Sequence, residues 1–306
     1  MSSTLIAEQL LNGLGYGLML FLLAAGLTLV FGVMDTMNLA HGSLFTMGAY
    51  IGATLSLYTG SFVLAVAGAV VGTVLLALAL EIALMRRLYV SDHLVQVVAT
   101  LGVILIVDDA VKATWGAAPI IAGAPQAFSQ PIQITSDWAY PSYRVLVLVA
   151  GLAVAALLYA LVNHTRLGML VRAGASNRAM AQLMGVRVKQ VFSVIFLLGA
   201  ALAGLAGALM GPLSAVQNGM GETIMIPALI VIVIGGIGSV RGALVGALLV
   251  GTVETIGRAF APALLKQFMP PALVADTAPA LAGMTMYLLM VAVLFFKPRG
   301  LFPARG

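Results

Sequence analysis

A chain of 306 residues with 62% hydrophobic and 8% charged residues and a mean hydropathy of +1.11 cannot assemble a water-facing surface, so a soluble fold is excluded and the solvent must be mostly lipid. Fifteen Lys and Arg against ten Asp and Glu leave a net charge of +5. In lipid that excess sets topology rather than recognising nucleic acid, and no nucleic-acid partner is expected. With no cysteine, disulfides, thiolate metal sites and thiol nucleophiles are excluded.

The opening MSSTLIAEQL has no Lys or Arg ahead of its apolar run and contains Glu8, so the first span is expected to be retained rather than cleaved as a signal. A helix needs about 20 apolar residues to cross ~30 Å of hydrocarbon. In chain order, uncharged stretches at residues 10–34, 62–80, 145–162, 190–221 and 223–240 meet that need, with a shorter final one at 280–296. Three weaker segments lie between them: 42–58, 93–112 with Asp108 and Asp109, and 241–260 with Glu254. The expectation is an all-α polytopic membrane protein, one domain over residues 1–306, with eight to nine transmembrane helices, some of them broken or re-entrant.

Cytoplasmic loops are enriched in Lys and Arg near span ends, which tests this count. If nine segments cross, Arg86, Arg87, Arg166, Arg172, Arg178, Arg187, Lys189, Arg241, Lys297, Arg299 and Arg305 share one side, and Lys112, Arg144, Arg258 and Lys266 the other. That bias places the N-terminus outside and the C-terminus in the cytoplasm; losing one crossing within residues 1–60 would move the N-terminus inside. Residues 115–142, with Pro119, Pro125, Pro131 and Pro141, are too polar and too broken for lipid and form an outward loop.

At residues 38–42 the run Asn-Leu-Ala-His-Gly interrupts two apolar segments. Polar backbone at membrane depth is tolerated only beside protein or water. Asn38, His41, Ser43 and Thr46 are therefore candidates for lining a pathway, against the alternative of a capped helix end with His41 bonded to a carbonyl. No second ligand at helical spacing makes His41 a metal site. Small residues at Gly199, Ala203, Gly207 and Gly211, and at Gly238, Gly242 and Gly246 beside Ala243, Ala247 and Gly251, stack on helix faces, where they serve close helix packing or a subunit interface. Asp108 with Lys112, and Glu254 with Arg258, stand at i and i+4 and can pair and snorkel; the other reading is a proton relay.

The inward loop, residues 163–190, holds five of the fifteen basic residues. Residues 175–184 can form a short helix with Met180, Leu183 and Met184 on one face, closed by Gly185. Such a face binds a partner or lies on anionic headgroups. There is no GxxxxGK[ST], GxSxG or HExxH, so neither ATP binding by a phosphate loop nor an intramembrane enzyme has support.

Together, NLAHGSLFTMGAY at 38–50, RLGMLVRAGASNRAMAQLMGV at 166–186, GGIGSVRGALVGA at 235–247 and KPRGLF at 297–302 resemble permease subunits of the branched-chain amino-acid ABC importers, in order over nearly the whole chain. The resemblance implies an importer in a bacterial inner membrane, made of two related permeases, two cytosolic ATPase subunits and an extracytoplasmic solute-binding protein. ATP and Mg would belong to the ATPases, with no cofactor in this chain. It also implies that the inward loop carries a coupling helix docking on the ATPase, through Arg172, Ala173, Asn177, Ala181 and Gly185. The sequence departs at Ser43, where family members often carry Glu. Relatives carry amides, urea or aromatic acids as well. Few buried charges and no ring of like charges favour a neutral or zwitterionic cargo over an inorganic ion. The rival class is a gradient-driven carrier or channel using Asp108, Asp109 or Glu254.

Overall fold

The structure, a computed structural model, describes residues 3–34, 36, 38–89, 91–135, 138–176 and 178–302. Helix α1 (Ser3–Met34) is apolar on every face, and a helix of that kind belongs inside a bundle. From Leu18 to Ala25 it is sealed by α6 (Ser142–His164), α9 (Val188–Met210), α10 (Met220–Gly235) and α11 (Val240–Leu265). The outer elements are α2 (His41–Thr59), α3 (Phe62–Leu80), α5 (His93–Trp115) and α12 (Pro271–Phe296). A π-helical turn, Glu81–Met85, joins α3 to the short α4 (Arg86–Leu88). Two small helices, α7 (Arg166–Ser176) and α8 (Arg178–Leu183), lie between α6 and α9.

Seven helices among the described residues are long and apolar enough to cross a membrane: α1, α3 with its extension, α5, α6, α9, α11 and α12. Of the other two large helices, α10 with 16 residues is too short. Helix α2, with 19 residues, is long enough but carries His41, Ser43, Thr46 and Thr54 and is less apolar. His41 packs against Gly26 and Gly199, and Gly26 lies about 12 Å, eight residues, before the end of α1. The chain therefore turns back into the bundle after α1, and α2 begins level with the middle of α9. Gly42 then meets Gly221, so α10 begins at the same level. From there α2 runs to one end of the bundle, where Trp115 Nε1 donates to Thr54 Oγ1 at 2.7 Å, and α10 runs to the other.

The first of those ends carries an antiparallel hairpin, β1 (Pro131–Thr135) with β2 (Trp138–Pro141), where the sequence predicts an outward loop. Tyr140 donates to Asn12 Oδ1 at 3.0 Å and Arg144 donates to the same oxygen. Ile120 and Val216 exchange backbone bonds of 2.8 and 2.9 Å, tying this loop to the re-entering residues 211–219. At the opposite, loop end, Gly174 of α7 faces Val33 and Leu301 N donates to Ile234 O at 2.8 Å. The described chain thus starts at one end and finishes at the other. Basic residues divide accordingly: Arg86 binds Glu81 at 3.2 Å and Arg241 donates to Tyr159 at 3.1 Å at the loop end, with Arg144 at the hairpin end.

Helix limits differ from the apolar runs where polar turns intervene. The run at 190–221 stops at Met210 because Ser214, Gln217 and Asn218 form a turn; Gly219, at φ +79°, then starts α10 in a left-handed conformation suited to glycine. The run at 280–296 begins earlier, at Pro271, whose missing N–H is harmless in a first turn.

Gly238, at φ +81°, stands in the turn before α11 and not on its face; the helical glycines of both files are consumed inside the chain. Gly199 rests on α1, Gly207 on the Ala49 backbone of α2, Gly246 on Val231 of α10, and Gly251 on Gly17 and Gly13 of α1. They serve packing, so they are no evidence for a second subunit. At Gly48 an added Cβ would lie 2.5 Å from the Gly204 Cα, whereas at Gly102 on α5 it would meet nothing within 4 Å. Gly48→Ala is expected to cost about 1–3 kcal/mol by overpacking, and Gly102→Ala to be neutral or to stabilise by up to about 1 kcal/mol. Thermal unfolding of the detergent-purified variants measures the difference; equal melting would refute the packing assignment.

Candidate functional site

Where α2 and α10 start, a cavity of about 230 Å³ opens between them and α5. Its wall contains Gly42, Ser43, Thr46, Gly221, Asp108 and Glu222, with Ile104, Met225 and Leu229 as apolar surface. Thr46 Oγ1 donates to Gly42 O at 3.3 Å, as hydroxyls on helices commonly do. Ser43 is only 4% exposed. Of the four residues expected to line a pathway, Ser43 and Thr46 border this cavity. Asn38 and His41 are packed inside instead: His41 sits between α1 and α9 near the Leu23 backbone. The Asn38 Oδ1 has no hydrogen-bond partner among the described residues. Leu39 N donates to Thr100 Oγ1 of α5 at 3.4 Å, satisfying one backbone group of the break.

The carboxylates do not pair as i,i+4 spacing suggests. Lys112 Nζ lies 3.7 Å from Asp109, not Asp108, and both partners are exposed. One residue is a 100° turn of the helix, and that turn aims Asp108 across the cavity at Glu222, near enough for the two carboxyls to share a hydrogen bond. Glu222 went unremarked in the sequence reading. It is the single charge between residues 190 and 240, and that isolation was the available signal.

Glu254 and Arg258 do pair, with Nε and an Nη at 3.0 and 2.7 Å from one carboxylate oxygen. The carboxylate does not snorkel: Glu254 is 3% exposed. Tyr16 is beside it, and the group borders a second cavity of about 440 Å³ toward the hairpin end, with Ser214, Gln217 and Thr223 also in its wall. Sequence reading missed Tyr16, because a lone tyrosine in an apolar run carries no motif.

In the loop-end helices, Gly185 adopts φ +83°; Gly185 N donates to Gln182 O and Val186 N to Ala181 O, both at 3.0 Å. This double bond pattern is a Schellman cap, which satisfies the last carbonyls of α8. Ala181 is buried, while Met180, Leu183 and Met184 are 55%, 83% and 78% exposed. Ala173 is exposed, and Arg172 donates back to Val162 O. Asn177 lies outside the described residues. The sequence therefore turns a compact apolar face outward from a basic end of the bundle.

Across residues 9–294 the chain matches the family described as "Branched-chain amino acid transport system / permease component". It is 29% identical to the high-affinity branched-chain amino acid transport system permease protein LivH of Salmonella typhimurium, over 83% of this chain and 86% of that one. It is 30% identical to the corresponding BraD of Pseudomonas aeruginosa, over 82% and 85%, and 27% identical to the ribose import permease protein RbsC of Escherichia coli K12, over 75% and 71%. No solved structure matches it significantly.

Arg258→Ala would leave the Glu254 carboxylate buried without its cation, a loss of about 1–3 kcal/mol. The double variant Arg258→Ala with Glu254→Gln is expected to recover most of it. Unfolding temperatures of the wild type, both singles and the double close this cycle; strictly additive losses would mean that the pair contributes nothing.

Proposed function

Because the chain belongs to the family of branched-chain amino acid transport permease components, we propose that it is the membrane permease subunit of an ATP-driven importer. The cargo is branched-chain amino acids or a related small zwitterionic or neutral solute. The subunit sits in a bacterial inner membrane and shapes the translocation pathway with a second related permease. In this reading nine helices cross or enter the bilayer, α2 and α10 as the broken members. The basic loop end, with the C-terminus, faces the cytoplasm.

The observation that carries the reading is the apolar face of Met180, Leu183 and Met184, held out by a capped helix on the basic end. Arg172, Ala173, Asn177, Ala181 and Gly185 complete the coupling segment within residues 163–190. Two cytosolic ATPases dock there and hold the ATP and Mg, while an extracytoplasmic binding protein delivers cargo at the hairpin end. A second permease is supported by Glu222, exposed on the flank level with the middle of α9. An acidic group near a helix centre costs about 2.5–3.5 kcal/mol in lipid, so protein or water must cover it. A carrier driven by a gradient is not favoured, since the matching relatives are branched-chain amino acid transport permease proteins.

In vesicles holding the complete importer, uptake is expected to require ATP and to survive an ionophore. Leu183→Asp changes an exposed site, so the permease stays within about 0.5 kcal/mol of wild-type stability, yet uptake falls at least tenfold while the ATPase goes on hydrolysing ATP. Uptake by this chain alone, abolished by an ionophore and indifferent to ATP, would overturn the proposal.

A further inference from the structure

The cavity between α2, α5 and α10 has features that helix packing does not require. Asp108 and Glu222 face each other across it. Neither makes a salt bridge among the described residues; Lys112, whose charge also acts on Asp108, lies 3.7 Å from the exposed Asp109. Two carboxyl groups on the wall of one cavity, with the nearby Lys112 turned to Asp109, make a negative wall that a further cation would complement. In the wall beside them stands Ser43, more than nine-tenths buried, whose hydroxyl makes no hydrogen bond to any described residue. The positive end of α10 is met by Glu222 in its own first turn, but the first turn of α2, where Ser43 stands, has no acidic residue. One side of the cavity is thus negative and the other is the start of a helix with a free hydroxyl, a setting that favours a negative group. Ile104, Met225 and Leu229 supply apolar wall. The volume, about 230 Å³, is below the ~300–1,000 Å³ of drug-sized sites and suits a small solute.

We propose that this cavity is a transit site for an α-amino acid, with its ammonium group held between Asp108 and Glu222 and its carboxylate turned to Ser43 and the start of α2. The inference rests on the function proposed above and adds to it that the permease itself reads the zwitterion, by charges placed where a sugar or an inorganic anion would find no complement.

The test uses the importer with its native partners. Leucine uptake is measured in vesicles. Weak binding to the permease–ATPase complex, without the binding protein, is followed by saturation-transfer NMR with L-leucine and with 4-methyl-2-hydroxypentanoate, which lacks the ammonium group. Wild type is expected to give a leucine signal at least fivefold above that of the hydroxy acid. The Asp108→Asn, Glu222→Gln double variant is expected to lose that signal and at least tenfold of the uptake, and Glu222→Asp, which keeps the charge, to retain most of both. Co-purification of the ATPase checks that each variant is assembled. If the double variant binds and takes up leucine like wild type and only melts lower, the two carboxyls are a structural pair sharing a proton and this inference fails alone. Equal signals from leucine and the hydroxy acid overturn it as well. If the wild-type importer takes up neither leucine nor any other small zwitterionic or neutral solute, the proposed function fails and this inference falls with it.

Discussion

Backbone-to-backbone contact at small residues governs this bundle, because hydrocarbon around the protein is as apolar as a leucine side chain and gives helices no reason to associate. Dispersion at close range must do that work, and it decays steeply with a gap of even 0.5–1 Å. Gly17 against Ala247, Gly26 against Gly199 and Gly48 against Gly204 bring main chains to distances that leave no space for a methyl group. With α1 gripped along its length in this way, the surrounding helices have a rigid axis. A rigid axis is what allows two segments to turn back into the bundle. Their exposed amides find protein partners, Leu39 N on Thr100 and Val216 on Ile120, where lipid would offer none.

The two cavities then differ in how their acidic groups are balanced. Near the hairpin end, Glu254 carries its own counter-ion one helical turn away, so that chamber is electrically complete before any solute arrives. Where α2 and α10 begin, the arrangement is incomplete: Asp108 and Glu222 come from separate helices, and the nearby lysine is turned to Asp109.

Much of this was legible in residue order. Long uncharged runs give helices wherever the chain has no alternative in lipid. The break at Asn38 to Gly42 and the stop at Gly185 follow from polar and left-handed positions that an apolar helix cannot absorb. The basic residues sort to one end as their spacing implies. What residue order could not supply was depth and pairing. Nothing in His41 and Gly42 tells that α2 starts level with Gly26 and Gly199 rather than at the surface, since depth is a relation to other helices. The partner of Asp108 lies 114 residues away, and a local i+4 rule selected Lys112 instead. The glycine files on α9 and α11 announced close contact without saying whether the contact was with this chain or another. The hairpin escaped because its strands, Pro131–Thr135 and Trp138–Pro141, are only five and four residues long and begin or end on proline, which marks a break more often than a strand.

The π-helical turn at Glu81–Met85 sets the rotational phase of everything after it. Such a turn accommodates one residue more than an α-helix does over the same length. With it, Glu81 is wholly buried, accepts a hydrogen bond from Ser193 and still reaches Arg86 five positions on, a span at which ordinary helical neighbours have already rotated apart. Removing one residue there would let α3 continue as a plain α-helix and would swing the following stretch by about 100°. Arg86 and Arg87 would be carried around the rod, and Tyr89 would leave its edge-on contact with Phe192. The length of this helix is therefore also a setting of angle, and related chains that lack the extra residue would present a different basic corner at the loop end.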